Sequence, residues 1–207
     1  MNRLSPSLLG ILLAAAGTAC VTKDGPTTPS DPPVAGPPTR WTGTAAFTHE
    51  VQYENGSAKD RFDLEVTWVK AENPNPAPPA GTTRYVPSGR AHARIQSNVD
   101  VGGTCTVDRE ADFPIAVTDG SVSPSDQFLD LGPDGRYEGR LYGAWSLEYV
   151  QFCRDRAFAK RSQVRVELDI RGTRDGSSLH GDMPPYVLTI PASLTATNTG
   201  SWSFTAN

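Results

Sequence analysis

The chain has 207 residues, of which 37% are hydrophobic and 20% charged, and its formal net charge is -4. These proportions exclude a polytopic membrane protein and a charge-rich disordered chain. The negative charge also argues against nucleic acid as a partner, because phosphate binding depends on clustered lysine and arginine. Three histidines and two methionines offer little for transition-metal chemistry, so neither a metal nor another cofactor is predicted.

The first nineteen residues have the pattern of a signal peptide. Arg3 supplies the positive n-region, and Leu8–Ala16 forms an uncharged apolar run. Gly17, Thr18 and Ala19 are the small residues that a signal peptidase needs. The apolar run is too short to span a bilayer, so the segment is predicted to be removed on export.

The residue after this segment is a cysteine, and Gly17-Thr18-Ala19-Cys20 resembles the lipobox of bacterial lipoproteins, with Gly17 where leucine is usual. In that family the cysteine sulfur receives a diacylglyceryl group and the signal is cut before it. The resemblance implies a lipid anchor at Cys20, with the membrane as a partner and the bacterial cell envelope as the location. Val21, which is not an aspartate, implies the outer membrane. The alternative is a secreted or periplasmic protein that is cut nearby.

The three cysteines fit this interpretation. If Cys20 carries lipid, Cys105 and Cys153 remain as a pair in an oxidising compartment, where disulfides persist. A bridge closing a loop of that length removes on the order of 4 kcal/mol of unfolded-state freedom. A disulfide between Cys105 and Cys153 is therefore predicted.

A tether precedes a single domain. Residues 20–40 contain the lipidated cysteine and then six prolines with no aromatic residue, a composition that cannot bury enough apolar surface to offset the entropy of ordering. Residues 41–207 form the predicted domain, whose size one core can serve.

Within this domain apolar residues alternate with polar ones, which indicates strands with one buried face. The alternation is clearest in Phe62–Trp68 and Val164–Ile170. Shorter alternating runs are Phe47–Tyr53, Ala91–Val99, Trp145–Tyr149, Tyr186–Ile190 and Trp202–Phe204. No stretch of ten or more residues carries an apolar stripe at helical spacing.

Turn-forming residues separate these runs. They are Asn55-Gly56, Gly102-Gly103, Gly132-Pro133-Asp134-Gly135 and Asp175-Gly176. Because short reversals make neighbouring strands antiparallel, we predict an all-β antiparallel β-sandwich of about eight to ten strands. The alternative is an up-and-down β-barrel of the lipocalin type. The Pro-rich stretch Glu72–Gly81 is predicted to be an unpaired connection.

The histidines are weak candidates for catalysis. His49 shares an apolar strand face with Phe47, so a core or rim position is predicted. His92 alternates with alanines and is predicted to be solvated. His180 and Asp182 follow a hairpin, but no serine or cysteine motif accompanies them. No G-x-S-x-G, H-E-x-x-H, Walker or Rossmann motif is present, and no catalytic residue is assigned.

Charges are unevenly distributed along the domain. Residues 100–138 carry nine carboxylates and two arginines, a local net of -7, whereas residues 139–174 carry eight bases and four acids, a local net of +4. If these segments form neighbouring strands, their charges offset one another across the ladder. The alternative is a divalent-cation site built from Asp126, Asp130 and Asp134, although their spacing differs from that of a known calcium loop.

A compact basic run follows Cys153 directly. It consists of Arg154, Arg156, Lys160 and Arg161. Such a run is typical of a solvated loop, and the alternative is recognition of an acidic partner or of anionic lipid headgroups.

Two function classes follow from these observations. The first is a lipid-anchored, non-catalytic envelope module that is structural or binds a protein, a glycan or a small apolar ligand. The second is a small secreted hydrolase of the carboxylate, glycan-directed type, which would need Glu138, Glu148 and Glu167 to converge in a cleft. The first class requires fewer unobserved features and is the one predicted.

Overall fold

The computed structural model describes residues 36–100, 104–115, 127–154, 156–190 and 194–207, and residues 37–207 form a compact unit. These residues form nine strands and no helix. The strands are β1 (Arg40–Tyr53), β2 (Gly56–Lys70), β3 (Thr83–Asp100), β4 (Thr104–Pro114), β5 (Phe128–Leu131), β6 (Arg136–Cys153), β7 (Arg156–Thr173), β8 (Ser178–Ile190) and β9 (Leu194–Ala206). In the ranges given, no helix is long and apolar enough to cross a membrane.

Alternating side chains set which face of each strand is buried. In β2 the rings and aliphatic chains of Phe62, Leu64 and Trp68 are buried, while the intervening polar residues are exposed. The β1–β2 register places Phe47 opposite Phe62, so the buried residues of both strands lie on one face. A register shifted by one residue would turn every one of these side chains to solvent.

All described strand pairs are antiparallel, which confirms the predicted all-β antiparallel fold with nine strands. Pairing runs continuously from β8 through β9, β1, β2 and β3 to β4 and β5, and then through β6 to β7. β3 contacts β5 with residues 83–85 and β4 with residues 90–100. A single sheet that closes over its own core is consistent with a sandwich or a barrel-like shape.

Tyr137 of β6, one strand from the β7 end of the pairing path, reaches across the core to the strands at its other end. Its hydroxyl donates to the His180 carbonyl of β8 at 2.8 Å and accepts from the Trp202 indole of β9 at 3.1 Å. Burial raises the pKa of Tyr137, partly offset by these two bonds, so the phenol stays protonated and can donate. One side chain thus links three strands across the core.

The core is filled by large rings that lie over inward-facing glycines. A Cβ atom on Gly143 would collide with the Trp145 ring, and one on Gly181 would lie 2.6 Å from the Trp202 ring. Trp202 is directly opposite Gly181 in the β8–β9 register. Glycine is required at such positions because any larger residue would displace the ring.

The hairpin connections divide into two ends of the sheet. The predicted reversals at 55–56, 132–135 and 175–176 fall between β1 and β2, β5 and β6, and β7 and β8, while 102–103 lies outside the described residues. We call the end that carries the β1–β2, β6–β7 and β8–β9 connections the hairpin end. The opposite end, where the Asn207 amide donates to the Arg40 carbonyl, is called the terminal end. Glu72–Gly81 lies between strands, as predicted.

The predicted bridge between Cys105 and Cys153 is present. Cys105 is the second residue of β4 and Cys153 the last of β6, and the two are directly opposite in the ladder. Among the described residues only Thr106 and Phe152 continue this pairing beyond them, so the disulfide holds β6 to β4 at the hairpin end.

Candidate functional site

A groove of about 710 Å³ crosses the outer face of the sheet from β8 to β4. Its floor consists of four small side chains on the adjacent strands β1 and β9, namely Thr44, Ala46, Ser201 and Ser203. Longer side chains flank this floor on both sides. We call this feature the outer groove.

The register explains why these residues meet. Thr44 is opposite Ser203 on one side and Glu65 on the other, and Ser203 is opposite His180. One pleat further along, Ala46 lies between Ser201 and Asp63 in the same way. Small residues on two central strands with larger ones on both neighbours produce a trough by geometry alone.

The rim of the outer groove is predominantly acidic. Four carboxylates line it, those of Asp63, Glu65, Asp112 and Asp182, against one arginine, Arg90. Asp63 is paired with Arg61 at 3.0 Å and Asp112 with His92 at 2.9 Å. Among the described residues Glu65 and Asp182 have no ion-pair partner.

His49 lies on the inner face of β1, as its neighbours predicted. It is half-buried, and its Nδ1 is 2.6 Å from Asn198 Oδ1. Asp60 is directly opposite on β2, where burial raises the pKa of its carboxyl and the nearby His49 partly offsets the rise. These three residues form a polar row in the core wall, away from the outer groove.

The other two histidines reach the outer groove from opposite sides. His92 is exposed and contacts Asp112, which confirms its predicted orientation. His180 is exposed on β8 opposite Ser203. In the described part of the chain the His180 ring makes no hydrogen bond to a serine, so the pair lacks the geometry of a nucleophile and its base.

The cation-site alternative rested on Asp126, Asp130 and Asp134, of which Asp130 is engaged in an ion pair. Both carboxylate oxygens of Asp130 accept from the Arg84 guanidinium, at 2.7 and 2.6 Å, in a pair that is largely buried. Asp126 lies outside the described residues. No group of three or more possible metal-ligating side chains occurs in the described ranges.

The prediction that the acidic segment 100–138 and the basic segment 139–174 offset one another across the ladder is wrong for most of their charged residues. The acids of β4 face β3, where Arg94 binds Asp108 at 3.1 Å. The segment 139–174 pairs largely with itself, since β6 and β7 form one long hairpin. The carboxylates of β4 are therefore offset by His92 and Arg94 of β3, which lie outside both segments.

The three glutamates considered for glycoside hydrolysis do not converge. Glu138 and Glu148 lie on one strand ten residues apart, which is roughly 33 Å at the rise of a β-strand. Glu167 is opposite Tyr142, between them. Paired carboxylates in glycosidases are separated by about 5 to 10 Å, so these three cannot act together in this structure.

The basic run lies at the hairpin end, within and just before β7. Arg161 is 3.9 Å from Glu148, and Arg154 occupies the turn before β7 with φ 45°. The predicted signal peptide, the lipobox cysteine Cys20 and the tether to residue 35 lie outside the described residues.

Comparison with family models, with curated proteins and with solved structures found no match to this chain.

Sequence reasoning did not find the outer groove. Its residues come from six strands separated by up to 159 positions, from Thr44 to Ser203, and only the register unites them. The available signal was compositional: at the groove, the outward residues of β1 and β9 are serine, threonine and alanine, while those of β2 and β8 are charged or histidine.

Proposed function

We propose that this protein is a lipid-anchored, non-catalytic binding module of the bacterial cell envelope and that the outer groove is its ligand site. The observation that carries the proposal is the position of the groove on the outer face of a domain with a filled core. Trp41, Phe62 and Trp68 are fully buried, which supports a surface-binding module over a carrier of a small apolar ligand.

The groove favours an extended ligand that carries cationic groups. Glu65 and Asp182 stand on opposite sides of the floor without ion-pair partners in the described residues. Hydroxyl groups between them offer both donors and acceptors. A polypeptide segment that carries lysine or arginine and lies across the strands would pair its cations with the carboxylates and hydrogen-bond to the hydroxyl groups. The small side chains of the floor leave room for its backbone.

The proposed location depends on export. A disulfide is typical of oxidising compartments, and it supports the signal peptide and the lipid anchor at Cys20 that the sequence predicts. A Pro-rich tether of about twenty residues reaches roughly 25 Å as a coil and about 60 Å when fully extended, enough to hold the groove clear of the headgroups.

Titration of the protein with an oligolysine peptide, followed by backbone amide NMR, tests the binding site. We expect shifts at Thr44, Ser201 and Ser203, and an affinity loss of roughly tenfold in Glu65→Gln/Asp182→Asn, since each lost charge contact contributes about 0.5 to 1 kcal/mol. The matched control is Asp134→Asn/Glu138→Gln, which removes the same charge outside the groove and should leave binding unchanged. Equal losses in both variants would show nonspecific attraction.

Mass spectrometry of the mature amino terminus tests the anchor. The proposal predicts a chain that begins at Cys20 with a diacylglyceryl group and an amide-linked acyl chain, since two or more chains are needed for stable anchoring. An unmodified terminus at any residue after Ala16 would contradict it.

A further inference from the structure

Exposed hydrophobic side chains are concentrated at the hairpin end. Eight large hydrophobic side chains are exposed in the described residues, and six of them lie on the β6–β7 and β8–β9 hairpins. These six are Val150, Phe152, Phe158, Tyr186, Val187 and Leu188. The remaining two, Val69 and Val86, are opposite one another near the terminal end. The asymmetry indicates a surface with a role at the hairpin end.

The β6–β7 hairpin is apolar on both of its faces. Phe152 is 57% exposed on the outer face, and Phe158 is 42% exposed on the inner face. The register confirms the opposite orientations, since Phe152 pairs with Ala157 and Phe158 with Gln151. A strand that only covers a core needs one apolar face, so packing within this domain does not account for both rings.

Basic residues lie close to these rings in the sequence of the same hairpin. Residues 148–161 carry Arg154, Arg156, Lys160 and Arg161 against Glu148 and Asp155. Arg156, Lys160 and Arg161 are exposed on β7, and only Arg161 has a carboxylate within 4 Å among the described residues. The hairpin therefore combines exposed rings with a local positive charge in a protein that is acidic as a whole.

The second hairpin extends this surface. Tyr186, Val187 and Leu188 are consecutive and all exposed, so both faces of β8 present apolar groups there. A bulge between Met183 and Tyr186 changes the register and turns Tyr186 toward the inner face, opposite Asn198. β7 and β8 are each paired on one side only in the described residues.

We propose that the hairpin end docks on a bilayer surface that contains anionic lipid. The exposed rings and aliphatic chains enter the boundary between headgroups and acyl chains, and the arginine and lysine heads contact lipid phosphates. Insertion is shallow, because the unpaired edges of β7 and β8 need water for their backbone groups. The Cys105–Cys153 disulfide holds the hairpin in place, which lowers the ordering cost of docking.

Vesicle co-sedimentation tests this proposal with the chain from residue 20 carrying Cys20→Ser, so that no acyl group contributes. Vesicles of phosphatidylethanolamine and phosphatidylglycerol are compared with vesicles of phosphatidylcholine. We expect at least tenfold stronger binding to the anionic vesicles, with a further large loss at 1 M NaCl. Absent binding, or equal binding to both vesicle types, would overturn the proposal and would point to a protein partner for this end.

Two double variants and two single-residue controls locate the contact. Arg156→Glu/Lys160→Glu should weaken binding at least tenfold, and Phe152→Ser/Phe158→Ser should weaken it several-fold. Val86→Ser and Arg136→Glu make the same kinds of change at exposed sites away from the hairpin end and should bind like the parent. Equal losses in the controls would overturn the assignment. Near-ultraviolet circular dichroism verifies that each variant is folded, and oligolysine binding at the outer groove should persist in all of them.

Discussion

The terminal end and the hairpin end of this domain are built from the same alternating strands, but inward-facing side chains are fully covered only toward the terminal end. Trp41, Trp68 and Tyr85 are fully buried toward the terminal end, whereas Phe158 and Tyr186, which also face inward, are 42% and 60% exposed at the other. The difference arises because neighbouring strands cover one another only where the sheet closes on itself. Apolar alternation therefore marks a face that is suited to burial, and closure of the sheet decides whether that face is buried.

The largest expected effect compares a buried phenylalanine from the middle of the sheet with an exposed one from the hairpin end. Phe62 is fully buried, with its ring centroid 6.1 Å from that of Phe47 and 6.2 Å from that of Trp145. Phe62→Ala should cost about 3 to 5 kcal/mol in the free energy of unfolding, because it leaves a cavity. Phe152→Ala should change it by about 0.5 kcal/mol at most. Urea titration measures both values, and similar losses would contradict the division into two regions.

The disulfide should have a smaller effect, expressed at the hairpin end. Cys105→Ser should lower the free energy of unfolding by about 2 to 4 kcal/mol and the thermal midpoint by several degrees. Amide exchange should accelerate most near Cys153 and Phe152, since the ladder from β4 to β6 is short there. In the native, unreduced protein both sulfurs should resist alkylation. Free labelling of both without denaturant would show that the bridge does not form.

The smallest effect concerns Asp60, at the boundary between the two regions. Because burial raises its pKa above 3.8, the protonated carboxyl favours the folded state at low pH, and that stability is lost as pH rises through the folded pKa. Asp60→Asn should therefore raise the thermal midpoint at pH 7 by roughly 2 °C, and the gain should vanish near pH 3. The exposed Asp63→Asn is the control and should show no such pH-dependent gain. A loss of stability in Asp60→Asn at pH 7 would show that the attraction to His49 outweighs burial.

The alternation of residue types was enough to predict the fold class, but not the partners of each strand. Val164–Ile170 and Phe62–Trp68 are strands with the predicted buried faces, and the orientations of His49 and His92 follow from the same rule. The predicted run Tyr186–Ile190 forms the last part of a longer strand. The bulge accommodates Pro184 and Pro185, so β8 continues from Ser178 through them.

The sequence could not predict the candidate site for a different reason. The outer groove depends on β9 pairing with β1, which joins residues near the two ends of the domain. No local pattern encodes that pairing, and the alternation is equally compatible with other strand orders. The composition of the basic run was visible in the sequence, but the exposure of Phe152 and Phe158 on opposite faces required the β6–β7 register.

The placement of Trp145 over Gly143 links the evolutionary histories of two positions. A larger residue at 143 cannot be accommodated while the indole occupies that space, and a smaller residue at 145 leaves a void above the glycine. Either single change passes through a less stable intermediate, so a lineage that repacks this part of the core must change both positions close together in time. Gly181 and Trp202 form a second pair of this kind across two strands. Among diverged descendants of this chain, glycine and ring should therefore be retained or lost together at each pair.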